Sequence, residues 1–165
     1  MSEQMTFSDR LALFLGTGFG SGHFPVAPGT AGTVVAAAIV FALSRTALPA
    51  HITLAALTVV STVLCLVIGK RVERLLGKKD PGAIVLDEFA GYFLAIMTLS
   101  SSWPGWRELV VAFLLFRLFD VAKPTPARQL QNIGGGAGIV LDDLAAGLYA
   151  LMGVTVFRQA FGATW

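Results

Sequence analysis

Seven charged side chains of this chain stand in or against apolar sequence: Asp87 and Glu88, Arg117 and Asp120 with Lys123 close behind, and Asp142 and Asp143. An acid near the centre of a membrane helix costs roughly 2.5–3.5 kcal/mol on insertion scales, and adjacent acids repel unless cations balance them. A bound metal ion would supply that balance. Clustered carboxylate oxygens favour a hard ion such as Mg²⁺, and one cysteine (Cys65) with two histidines (His23, His51) gives neither a cysteine cluster nor a set of imidazoles for zinc. Asp87, Glu88, Asp120, Asp142 and Asp143 are therefore the candidate metal ligands and catalytic groups. The same acids could instead make interhelical ion pairs with Arg117, Lys123 and Lys70.

Spacing sharpens the first use. Ile84-Val-Leu-Asp-Glu-Phe-Ala and Ile139-Val-Leu-Asp-Asp-Leu-Ala share Ile, Val, Leu, Asp and Ala in register, so two helices present matching acidic pairs. Arg117 and Asp120 are i, i+3 neighbours, and Pro124 disfavours helix at Lys123, which gathers Arg, Asp and Lys at one helix end. Gly91 and Gly147 follow Asp87 and Asp143 by one turn, where a missing side chain lets helices approach. A Gly-rich stretch, Gly16-Thr-Gly-Phe-Gly-Ser-Gly22, leads through Ala27-Pro-Gly-Thr30 into the next apolar block. With Thr30 as N-cap, the backbone of Gly20, Ser21, Gly22 and Thr30 would cradle phosphate beside Arg117 and Lys123, although a plain hinge has the same composition. Gly134 to Gly138 is a second such loop. Cys65 and Arg71 have the Cys-x5-Arg spacing of cysteine phosphatases, but they lie in the most apolar helix, where the amides needed for a phosphate loop are already used.

These groups need apolar helices to position them. Of 165 residues 55% are hydrophobic and only 13% charged, against about 25% charged in soluble domains, and mean hydropathy is +0.74. The spacing predicts spans over Ala31–Leu48, Ile52–Gly69, Ile84–Leu99, Leu109–Val121 and Ile139–Phe157. The expected fold is all-α: one domain over residues 1–165, a compact bundle of about five apolar helices in the membrane plus an N-terminal interfacial helix within Met1–Leu15. That start is too weakly apolar for a signal peptide. Lys70, Arg71, Arg74, Lys78 and Lys79 mark the segment from Lys70 to Asp80 as cytoplasmic, which puts every acid at a cytoplasmic helix end. The outer loops hold only Arg45 and Arg107, and Arg158, also outside, weakly opposes the scheme. A net charge of +2 is too small to suggest nucleic acid, and lipid is the better partner.

Gly18-Phe-Gly-Ser-Gly22, Ala27-Pro-Gly-Thr30, Val85-Leu-Asp-Glu-Phe89, Phe116-Arg-Leu-Phe-Asp120, Lys123-Pro124 and Gly138-Ile-Val-Leu-Asp-Asp143 occur in that order from about Gly16 to Gly147. The set resembles the phosphatidylglycerophosphatase A family. The resemblance implies an all-helical fold, Mg²⁺ dependence, a bacterial inner (cytoplasmic) membrane location with several passes and the active site facing the cytoplasm, and hydrolysis of phosphatidylglycerophosphate to phosphatidylglycerol and phosphate. The reading from another class is an ion or solute transporter, whose acids would lie at mid-depth along a path.

Overall fold

The computed structural model describes residues 5–79, 81–125, 127–130, 133 and 135–161, and among these it is helical throughout, with no strand. Seven helices follow one another: α1 Phe7–Gly16, α2 Pro28–Leu43, α3 Ala50–Leu76, α4 Leu86–Ala95, α5 Trp106–Ala122, the single turn α6 Ala127–Leu130, and α7 Gly135–Phe161, with a 3-10 turn at Ser21–His23 between α1 and α2. Asp80 and Gly134, singled out above as parts of loops, fall outside the described residues.

α1 starts where Thr6 and Asp9 cap each other, the Thr6 N–H donating to Asp9 at 3.0 Å and the Asp9 N–H to the Thr6 hydroxyl at 3.2 Å. Asp9 also accepts from Arg71 Nε at 2.9 Å and Nη2 at 2.6 Å, which ties α1 to the last turns of α3. Phe7, Leu11 and Phe14, spaced i, i+4, i+7, are left exposed on the far side.

α3 has 27 residues, about 40 Å at 1.5 Å per residue. Leu54, Thr58, Ser61, Cys65, Gly69 and Val72 form its buried stripe, while Ile52, Val59, Val60, Val63 and Val67 are exposed. The buried Thr58 hydroxyl is satisfied by the Leu54 carbonyl at 2.9 Å. Only 22% of its most apolar window is buried, so most of its hydrocarbon faces outward; α7 is 44% buried by the same measure. These two are the helices, among the described residues, long and apolar enough to cross a membrane.

That corrects the expectation of about five apolar membrane helices. The Ala31–Leu48 block becomes α2, 16 residues and about 24 Å. The Ile84–Leu99 block yields only α4, 10 residues and about 15 Å, too short to span a core of roughly 30 Å. α4 is apolar on every side because α2, α3, α5 and α7 surround it, and hydropathy cannot distinguish a helix wrapped in protein from one wrapped in lipid. The misplaced base is explained as well. Arg158 pairs with Glu108 at 2.5 Å and donates to the Met97 carbonyl at 2.8 Å, just past the C-terminal end of α4, where a cation meets unpaired carbonyls.

α4 and α7 cross at Gly91 and Gly147. A Cβ on Gly91 would stand 2.7 Å from the Asp143 carbonyl oxygen, and one on Gly147 would run into the Gly91 carbonyl. Gly147→Val should therefore lower stability by about 1–3 kcal/mol through overpacking, read as a fall in the denaturation midpoint in detergent. The Asp9 carboxyl, bonded to Thr6 and Arg71, is held down to about 2 from 3.8. Its folded value is the lower one, so its contribution is complete above about pH 4 and is lost as pH falls toward 2. Amide-exchange protection of α1 should fall in that window ahead of α3, and an Asp9→Asn variant should lack the protection already at pH 7.

Candidate functional site

The ends of three helices converge on the third turn of α7. α4 begins at Leu86 with Asp87 and Glu88 in its first turn, where the helix dipole favours anions. Asp87 accepts the Glu88 N–H at 3.0 Å, and Glu88 reaches inward to accept the Thr33 hydroxyl at 3.0 Å from α2 and a hydrogen bond from Arg117 of α5. Arg117 also holds Asp120 at 2.8 Å, one turn on along α5. Lys123 ends α5 in the left-handed conformation, φ 44°, so that its stem leaves the helix axis and its Nζ donates to Asp142 of α7 at 2.5 Å. Asp142 and Asp143 are 5% and 4% exposed, and Asp143 stands within electrostatic reach of Asp87, Glu88, Asp120 and Asp142.

All seven charged side chains line one cavity of about 260 Å³, together with Ala27, Pro28, Gly29, Gly82, Ile84 and Ile139. Five carboxylates thus face two cations. Burial and the neighbouring Asp120 push the Glu88 carboxyl up, with Arg117 and Thr33 opposing. Burial works against the Lys123 charge, yet the hydrogen bond and attraction of Asp142 outweigh it and raise Lys123. Lys70, the third base considered for these acids, lines a separate basic patch with Arg74, Lys78 and Lys79.

The glycine-rich stretch divides differently from expectation. Gly20, Ser21 and Thr30 line a neighbouring apolar cavity, and Gly22 is packed on the Ala83 carbonyl. The Ser21 hydroxyl is spent on the Gly18 carbonyl at 2.8 Å. Thr30 is not the N-cap of α2: Ala27 is, with φ 50° and no side-chain cap, because Pro28 presets the first helical residue and lacks an N–H. Starting the helix there brings Gly29 rather than Thr30 against Glu88, so closely that a side chain at 29 would strike the carboxylate. It also turns Thr33, four residues on, toward Glu88. Thr33, Gly29 and Ala27 were not assigned from sequence; the only available signal was the Pro-Gly pair at 28–29. Of the three non-glycine residues with positive φ among those described, Phe19, Ala27 and Lys123, the last two line the carboxylate cavity. Backbone strain of this kind collects at functional sites.

The donor set fits a hard divalent ion. Every candidate donor is a carboxylate oxygen, three negative charges are left over after the two bases are counted, and the buried Asp142 Oδ1 has no hydrogen-bond partner. Among the described residues, no three acids or histidines already form a closed ligand group, and Arg117 and Lys123 hold three of the acids as ion pairs.

The order and identity of these groups match a known family: a family model described as Phosphatidylglycerophosphatase A covers residues 14–158. The chain belongs to the phosphatidylglycerophosphatase A family. It is accordingly an enzyme, a phosphoric monoester hydrolase. Phosphatidylglycerophosphatase A of Haemophilus influenzae is 36% identical over 143 residues, 84% of this chain and 83% of the relative. Phosphatidylglycerophosphatase A of Escherichia coli is 35% identical over 135 residues, 81% and 76% respectively. A Bacteroides thetaiotaomicron protein named "Putative phosphatidylinositol-3-phosphatase" is 37% identical over 156 residues, 92% of this chain and 96% of the relative. No solved structure matches the chain. Phosphatidylglycerophosphatase A membership covers all four helices that carry the cavity.

Removing one member of a buried pair strands the other. Lys123→Met should cost about 1–3 kcal/mol with chelator present, since Asp142 is buried but Lys123 is partly exposed, and Lys123→Met with Asp142→Asn should regain most of that loss. Denaturation midpoints of the two single variants and the double variant measure the coupling; additive losses would show that the pair is not interacting.

Proposed function

We propose that this chain hydrolyses the terminal phosphomonoester of phosphatidylglycerophosphate, releasing phosphatidylglycerol and inorganic phosphate, with Mg²⁺ as its cofactor. The observation that carries the reading is the meeting of five carboxylates and two bases from three helices in one small cavity, in a chain of this family. Uncatalysed hydrolysis of phosphate monoesters is among the slowest of reactions, so the site must both neutralise charge and align a nucleophile.

Arg117 and Lys123 are the groups suited to hold the phosphate, and the first turn of α2, headed by Pro28 and Gly29 at the cavity wall, adds a positive dipole end. Phosphate oxygens would compete with the acids for these bases and so loosen their ion pairs. Asp87, Glu88, Asp120, Asp142 and Asp143 would then hold or orient Mg²⁺, with Asp142 Oδ1 already without another partner. Bound there, such an ion would offset the charge of the phosphate oxygens and would make water more acidic. One carboxylate takes the proton of the attacking water as its oxygen bonds to phosphorus, the P–O bond to the glycerol breaks, and that proton passes to the departing glycerol oxygen. Direct attack by a carboxylate, giving an aspartyl phosphate, is the competing route, and trapping a phosphorylated enzyme would establish it.

The membrane reading is that α3 and α7 cross the bilayer of a bacterial inner membrane, in a multi-pass arrangement with the site toward the cytoplasm. Its support is that Gly69 packs against Gly136, which sets the basic end of α3 beside the start of α7 and close to Asp142. A transport path, with acids strung at mid-depth, has no support in a single cavity built at helix ends.

Purified protein should release phosphate from phosphatidylglycerophosphate in mixed micelles with Mg²⁺ and stop with chelator. Asp142→Asn and Asp87→Asn should each lower turnover by about 10²–10³-fold or more while folding and membrane insertion are retained. Near-normal turnover in either variant removes that residue from the site. Phosphatidylinositol 3-phosphate belongs in a parallel arm, because a 37% identical relative carries that substrate in its name; faster hydrolysis there would change the substrate and leave the chemistry standing.

A further inference from the structure

A larger cavity adjoins the carboxylate cavity, about 660 Å³ against about 260 Å³, and Ala27 lines both. α2 is the partition between them. Gly29 and Thr33, one turn apart, face Glu88, whereas Thr30, Ala31, Val34 and Val35 face the larger cavity. Its wall is mostly apolar, with Ser21, His23 and Thr30 as the polar side chains on it, and Phe24, Val26 and Val34 on that wall are 58%, 72% and 53% exposed. A groove of this kind invites hydrocarbon rather than an anion. The Ser21 hydroxyl at its edge already donates to the Gly18 carbonyl, so it adds no free donor.

We infer that this groove holds an acyl chain of the lipid whose phosphate enters the carboxylate cavity, the glycerol backbone crossing at Ala27. The inference rests on the phosphatase reading above and adds to it where the rest of the substrate lies. Three observations converge on that occupant. The two cavities share a wall residue, so one molecule can reach both. Their chemistry is complementary to an amphiphile, bases and acids on one side of α2 and apolar side chains on the other. Phe24, Val26 and Val34, which border the groove, are themselves exposed, so a hydrocarbon chain can enter from outside. A soluble phosphate ester would need none of this. The positive φ of Ala27 turns the chain sharply at the crossing point, which keeps the first turn of α2 between the cavities rather than across them.

The test compares dioleoyl phosphatidylglycerophosphate with its deacylated, water-soluble counterpart on wild type, Val34→Trp and Val34→Ala. Val34 is half exposed and outside the carboxylate cavity, so a tryptophan can fill the groove without opening the core. Val34→Trp should lower kcat/KM for the diacyl lipid at least tenfold, chiefly through KM, and leave the rate on the deacylated compound unchanged, while Val34→Ala keeps both. Equal loss on both substrates, or no loss on either, overturns the inference. A second readout needs no turnover: phosphatidylglycerol carrying a diazirine within its acyl chain should label residues 24–35 in wild type and lose that label in Val34→Trp. If wild type hydrolyses neither compound, the phosphatase reading is what has failed. In that case, or if only the lipid is hydrolysed, the label decides: on 24–35 it supports the groove, and confined to the outer faces of α3, α5 or α7 it overturns it.

Discussion

Glu88, Asp142 and Asp143 are taken almost wholly out of water, and the rest of the molecule is arranged around making that tolerable. A buried carboxylate without compensation costs several kcal/mol, so each needs a cation, a hydrogen-bond donor or a proton. Arg117 serves Glu88 and Asp120 together, Lys123 serves Asp142, and Thr33 adds a neutral donor to Glu88. These partners come from α2, α5 and the turn after α5, whereas the acids come from α4, α5 and α7. α5 pairs its own Arg117 with Asp120, but the partners of Glu88 and Asp142 come from other elements, so the set exists only where the helices meet.

Backbone approach makes the convergence possible. Gly91 on α4 and Gly147 on α7 bring the two helices together where any side chain would collide, and Asp143 lies one turn before that crossing. Gly69 and Gly136 do the same for α3 and α7. α4 can be short because it is surrounded by protein and has no bilayer to span. Its start carries the anions and its carbonyl end is met by Arg158, so both ends of its dipole are compensated, one at the site and one about 15 Å away. α3 and α7 are the helices, among the described residues, long and apolar enough to cross a membrane, and α7 also carries two of the site's acids, Asp142 and Asp143.

An excess of carboxylate over base, poised in a small cavity, is poorly suited to a structural ion-pair network and well suited to a site whose charge balance is completed by ligands. The relatives agree on a phosphate carried by a lipid and differ in the headgroup that their names give. The groove beside Ala27 is consistent with that pattern: recognition of the apolar part can be common to substrates whose polar ends differ.

Hydropathy and residue order, by themselves, determined the helical class, the seven charged residues, the matched acidic pairs at 87–88 and 142–143, and the family. These are local or composition-borne properties: charge inside apolar sequence is visible in any window, and motif order survives without coordinates. Helix starts were less legible. Thr30 looked like a cap, yet the cap is Ala27, three residues earlier, and that shift of phase swings Gly29 and Thr33 to Glu88 and sends Thr30 to the apolar side. The number of spans was misjudged because α4 has the composition of a lipid-exposed helix and the surroundings of a core one. Which acid meets which base, and on which side of α2 each glycine falls, was decided only by packing, since those contacts join residues as distant in sequence as Gly29 and Glu88 and depend on helix phase that spacing alone does not settle.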